Sequence, residues 1–148
     1  MFDADFFSRP AHLINRAARL MARLGDELLA PYGFSVGQLP VLGMLSEGEA
    51  LPQKLLAQGA KIEQPSMAQM LNRMERDGLI HRAPDPADKR SSLISLTETA
   101  RNQLPAVLDD MKRGGNDALA GLTPDEIATL TRLLRTVIAN LESMSVDQ

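Results

Sequence analysis

The chain has 148 residues, a formal net charge of -3, four Phe, one Tyr, no Trp and no Cys. That length suits one domain or two small lobes sharing a core, which must be built from aliphatic side chains and Met. The missing Cys excludes disulfides and thiolate redox sensing.

The spacing predicts a first helix over 11–30, where Leu13, Ala17, Leu20, Leu24 and Leu28 recur every three or four residues. Ile14 and Met21 widen this stripe. Arg16, Arg19 and Arg23 fall on another face and read as solvated, and Pro31 and Gly33 stop the helix. Ser35-Val36-Gly37-Gln38 is a capping box with Phe34 as its staple, opening a helix that runs through Leu45. Pro40 falls in the second turn of that helix and is expected to bend it. Pro52 suits the first position of a short third helix, ended by Gly59. Pro65 suits the same position in the next one. Two short helices joined by a tight Gly-containing turn form a helix-turn-helix signature.

The helix from Gln64 to Gly78 divides cleanly at a hundred degrees per residue. Met67, Leu71 and Met74 share one side. Ser66, Gln69, Arg73 and Arg76 share the other, which carries no carboxylate. Such a face donates to phosphates and purine edges: Arg to guanine, Gln to adenine, Ser to either or to phosphate. Two strand-length apolar runs follow, Leu79-Ile80-His81-Arg82 and Leu93-Ile94-Ser95-Leu96. They predict a hairpin with a long, proline-stiffened tip ending in Asp88-Lys89-Arg90. A narrow minor groove attracts an inserted Arg, and Asp88 is placed to hold the Arg90 guanidinium. A helix followed at once by such a hairpin is a DNA-reading arrangement, with the helix in the major groove and the tip over the backbone.

Thr97 is expected to cap the next helix, which Pro105 kinks and Gly114-Gly115 weakens or breaks. Thr123-Pro124-Asp125-Glu126 is a second capping box. It opens a heptad-like helix in which Ile127, Leu130, Leu134, Val137, Leu141 and Met144 alternate spacings of three and four. That seam fits an intramolecular bundle and pairing with a second copy equally well.

Charge distribution tempers the DNA reading. Residues 46–101 carry eight Lys/Arg and eight Asp/Glu, so this middle segment is neutral overall. Affinity for DNA must come from a few placed cations, and a protein-interaction module without DNA binding is the alternative. No paired carboxylates, Ser/His/Asp set, phosphate-cradling Gly loop or metal-ligand spacing marks an enzyme or a cofactor site. His12 and His81 are the only histidines, so no metal site is expected. No apolar run is long enough to span a bilayer, and the acidic start lacks a leader pattern, so a cytoplasmic protein with no membrane partner is expected.

Residues 79–97 resemble the wing signature of the MarR/SlyA family of winged helix-turn-helix transcription regulators. The matching order is Gly78-Leu79, Arg82, the Asp-Pro pair, Asp88-Lys89-Arg90 and Leu96-Thr97. EQPSMAQMLNRMERDG resembles that family's recognition helix, QKLLAQGAKI its preceding helix and TPDEIATLTRLLRTV its dimer-forming helix. The resemblance implies a mainly α fold with a small β-hairpin wing (α+β), one domain over 1–148. A winged-helix lobe at 35–100 would join a helical dimerisation lobe formed by 1–34 and 101–148. It implies a homodimer that binds a pseudo-palindromic double-stranded DNA operator as a repressor, released by a small aromatic or anionic effector and needing no cofactor. Gln64, Pro65, Ser66, Gln69, Arg73, Arg82, Asp88, Lys89 and Arg90 would form the DNA surface, with Arg82 on a phosphate. Leu13, Ile127, Leu130, Leu134, Val137 and Leu141 would form the dimer seam, and His12 lies near where the family's effector pockets fall.

Overall fold

A computed structural model of the protein describes residues 5–146; residues 1–4 of the acidic start lie outside it. The described residues fall into two compact units that divide between Gly114 and Gly115.

The first unit opens with a 3-10 turn at Phe6–Ser8 and helix α1 (Pro10–Leu29), which has Pro10 at its start. α1 passes into a second 3-10 turn at Ala30–Tyr32, and Gly33 at φ 78° reverses the chain. Tyr32 donates its hydroxyl to Asp110 Oδ2 at 2.6 Å, and Arg113 pairs with the same carboxylate. The hydrogen bond to Asp110, helped by burial, raises the Tyr32 phenol above its ordinary pKa.

Next comes a 3-10 turn, Val36–Gln38, and then α2 (Leu39–Leu45). The capping box sits on the 3-10 turn, where the Ser35 N–H donates to Gln38 Oε1 at 3.0 Å. This corrects the position of Pro40. It lies in the first turn of α2 rather than the second turn of a longer helix, because a ring nitrogen cannot donate to the Val36 carbonyl. The chain tightens to 3-10 first and starts its α-helix where proline costs nothing.

β1 (Leu51–Pro52) was not expected. It precedes α3 (Gln53–Ala60), for which Pro52 is the extended N-cap rather than the first helical residue. α3 runs past Gly59, and Lys61 takes the left-handed C-cap position at φ 54°. Gly59 lies inside the helix where the end of the Met44 side chain packs against it, and a Cβ there would lie 2.7 Å from Met44 Sδ unless that side chain moved.

α4 (Gln64–Arg76) has Gln64 first and Pro65 second, one position later than its sequence suggested. It ends in a Schellman motif: the Leu79 N–H donates to the Met74 carbonyl at 2.9 Å and the Gly78 N–H to that of Glu75 at 3.1 Å. Gly78 sits at φ 75°, which favours glycine.

β2 (Ile80–Pro84) and β3 (Ser92–Leu96) form the hairpin, and β1 adds to the other side of β3, giving the antiparallel order β1-β3-β2. Pro52 and Pro84 both lie on edge strands, where a missing N–H is tolerated.

Thr97 is buried and caps α5 (Glu98–Ala118), accepting the Ala100 N–H at 3.2 Å. Its hydroxyl donates to the Gly78 carbonyl at 2.8 Å, so one atom joins the end of α4 to the start of α5. α5 runs unbroken through Pro105 and through Gly114-Gly115, against expectation. Gly114 is an approach site: a Cβ there would collide with Leu28 of α1. Packing against the bare backbone offsets the poor helix propensity of glycine.

The core of this unit joins Leu42, Leu45, Leu56, Met67, Leu71, Met74, Ile80, Ile94 and Val107, all fully buried. Each such side chain contributes about 1.5–3 kcal/mol relative to exposure. The second unit contains α6 (Pro124–Val146), whose first turn is capped by Thr123 Oγ1 accepting the Glu126 N–H at 3.2 Å.

Candidate nucleic-acid interface

The buried side of α4 is Met67, Leu71 and Met74, as the angular spacing requires. Anchoring these three fixes the rotation of the helix. Gln64, Pro65, Ser66, Gln69, Arg73 and Arg76 are therefore all exposed. Arg76 is tied to its neighbour Asp77 by an ion pair at 3.1 Å. Arg73 has no ion-pair partner among the described residues, so its guanidinium fork is available to an external acceptor.

The wing is built differently from its sequence-based expectation. Arg82 pairs across the hairpin with buried Ile94 and lies on the same strand face as Ile80. It is half-buried, donates from Nη2 to Asn72 Oδ1 at 2.7 Å, and has Nε 3.7 Å from Glu75 Oε2. Asn72 and Glu75 both belong to α4. Arg82 thus braces the wing against α4. The reason is the two-residue side-chain period of a strand, which turns residue 82 inward with residue 80.

The tip is closed by its own backbone. The Asp85 N–H donates to the Ser91 carbonyl at 3.2 Å, and the Ser91 N–H to that of Asp88 at 3.0 Å. Asp85 Oδ1 accepts the Ala87 N–H at 2.8 Å, and Asp88 Oδ1 accepts the Arg90 N–H at 2.9 Å. Asp88 therefore presets Arg90 through the main chain, as an Asx turn, and not by gripping its guanidinium. Lys89 and Arg90 are exposed and carry no ion pair among the described residues.

The comparisons with known proteins bear on the fold that carries this surface. The MarR family profile matches residues 32–91, from the α1–α2 connection to the wing tip. A MarR mutant from E. coli, solved in complex with operator DNA, superposes with a TM-score of 0.79 at 26% identity, covering 92% of this chain and 99% of that one. The chain resembles the MarR family in both its sequence profile and its fold. The PcaV regulator of Streptomyces coelicolor is similar in fold, with a TM-score of 0.81 at 26% identity over 91% of this chain and 98% of that one. Among curated proteins, the uncharacterised HTH-type transcriptional regulator YwoH of Bacillus subtilis is 28% identical, over 84% of this chain and 90% of the relative. The MarR family is a family of transcription regulators, non-enzymatic by kind.

The remaining expected sites are distributed as follows. His12 packs against the rings of Phe6, at 4.0 Å between centroids, and Phe7, at 5.7 Å. It belongs to an aromatic cluster at the start of α1. An apolar cavity of about 220 Å³ lies instead between α2 and α5, lined among others by Leu39, Leu42, Leu104, Val107, Leu108 and Met111. Leu13 on α1 and Leu130 and Leu141 on α6 are exposed, while Ile127, Leu134 and Val137 are half-buried. Sequence reasoning missed Asn72, the partner of Arg82. Strand alternation carried a signal for it. No single helix among the described residues is long and apolar enough to cross a membrane.

Proposed function

We propose that this chain is a sequence-specific DNA-binding transcriptional repressor that acts as a homodimer on pseudo-palindromic operators. One observation carries the reading. The face of α4 fixed outward by Met67, Leu71 and Met74 is free of carboxylates and stands braced by Arg82 beside a wing tip ending in Lys89 and Arg90. Ser66, Gln69 and Arg73 read base edges, with Gln64 and Pro65 at the entering end. Arg90 enters the minor groove. Residues 35–100 act as the DNA-binding lobe, and 1–34 with 101–148 as the dimerisation lobe. A protein working on DNA in this way is cytoplasmic, and its chemistry is binding rather than catalysis.

Two features support the rest of the reading. Leu13, Leu20 and Met21 of α1 are 52%, 56% and 47% exposed, an apolar stripe suited to a second copy. The α2–α5 cavity has no charged lining side chain, so it suits a small aromatic effector better than an anion. Against the upstream region of its own gene, Arg73→Ala should relax base preference with about 1–3 kcal/mol lost at one position. Arg90→Ala should weaken binding with less effect on base choice. Fluorescence anisotropy with operator and scrambled duplexes measures both, and wild-type affinity in both variants would sink the reading.

A further inference from the structure

A depression of about 380 Å³ lies where the helix-turn-helix meets the wing, and every side chain lining it is polar. Gln53 and Lys54 contribute from the start of α3, Gln64 from the start of α4, Arg82 from β2, and Arg90 and Ser92 from the tip and β3. The one carboxylate there, Asp88, already accepts the Arg90 N–H. Arg82 is directed to Asn72 and Glu75, and its buried Nε has no hydrogen-bond partner. Lys54 and Arg90 have no ion-pair partner among the described residues, so the depression is positive at its rim. Gln53 donates to Gln64 Oε1 at 3.1 Å, which leaves the Gln64 amide nitrogen and the second Gln53 proton as donors. Lys54 and Arg90, two amides and the hydroxyls of Ser91 and Ser92 line one polar concavity, which suits an oxyanion better than a cation or an apolar ligand.

We infer that this depression seats a phosphate group, and that the group is a backbone phosphate of the operator. The inference rests on the DNA-binding reading above and assigns new residues, Gln53, Lys54 and Ser92, to it. The source follows from position. The depression lies between Gln64, at the entering end of the reading helix, and Arg90, at the wing tip. A duplex holding α4 in its major groove carries its backbone past that point. Such a contact sets register and contributes affinity, but carries no base information.

The test is Lys54→Gln, a change at an exposed position that leaves the core untouched. Operator affinity of wild type and variant is measured from 50 to 300 mM salt. The variant should bind about eightfold more weakly per protomer at 0.1 M salt, with a log–log salt slope shallower by about one per protomer. The loss should be equal on operator and scrambled duplexes. A variant that matches wild type in affinity and slope overturns the assignment while leaving the DNA-binding reading intact. If wild type binds no duplex, that reading fails instead, and calorimetry with inorganic phosphate decides the site. Phosphate bound by wild type and not by Lys54→Gln keeps an oxyanion seat but overturns the operator as its source. Binding by neither, or equally by both, overturns the site altogether.

Discussion

Asp88 and Arg82 are both charged residues of the wing, and neither does what charge pairing alone suggests. Asp88 Oδ1 holds the Arg90 main-chain N–H, so the carboxylate acts by its shape as an acceptor two residues back, and only secondarily by its charge. This separates two substitutions that a guanidinium pair would not. Asp88→Asn keeps an acceptor oxygen and should retain most operator affinity. Asp88→Ala loses the Asx turn, and the tip should bind about fivefold more weakly, the equivalent of about 1 kcal/mol for one hydrogen bond. A titration of both variants against the same duplex checks this; equal losses would restore the guanidinium pair. Arg82 shows the complementary case, a cation drawn inward by strand alternation, with its Nη2 held by Asn72. Its role was legible in principle, since Ile80 and Arg82 must share a face. The role of Asp88 was not, because a carboxylate two residues before an arginine satisfies both geometries in a string of letters.

Among the elements, the helices with a strong apolar side were readable and the proline and glycine positions were only half so. α4 lies where the spacing of Met67, Leu71 and Met74 puts it, since burying those three leaves one rotation for the helix. Pro40, Pro52, Gly59 and Gly114 were each assigned a local meaning, as kink, start, stop or break. Three of them answer instead to a neighbour in space: Pro52 to β3, Gly59 to Met44, Gly114 to Leu28. Local propensity is about 1 kcal/mol for a helical glycine, and how readily the neighbour can move decides whether a Cβ is tolerated. The same logic ranks two helical glycines that look alike in sequence. A Cβ at Gly25 would collide with the β-branched side chain of Val36, whereas one at Gly115 would meet nothing within 4 Å. Gly115→Ala should therefore stabilise the protein by about 0.5–1 kcal/mol, and Gly25→Ala should destabilise it by about 1–3 kcal/mol. Thermal or urea unfolding of the two variants gives the signs directly.

For the whole molecule, the question is how two reading heads come to lie one helical turn of DNA apart, about 34 Å. The dimer proposal answers it with the apolar stripes of α1 and α6. Leu141, 56% exposed, gives the sharpest test. Leu141→Glu should leave helicity unchanged in circular dichroism but shift sedimentation from dimer to monomer, and operator affinity should fall with it. A variant that remains dimeric would remove residue 141 from the interface. The seam at 127–144 was legible as a heptad pattern, yet its partner was not, because a pattern of apolar side chains names no occupant. One hydroxyl described above bears on how such a molecule responds to its surroundings. Thr97 Oγ1 caps α5 and at the same time holds the Gly78 carbonyl at the end of α4. An influence that rotated α5 would act on that bond from one side, and an operator holding α4, as proposed, would act on it from the other. Linkage then runs in both directions with a single coupling factor. A compound that weakened the protein's grip on DNA by some factor would itself be held more weakly, by that same factor, once DNA is bound.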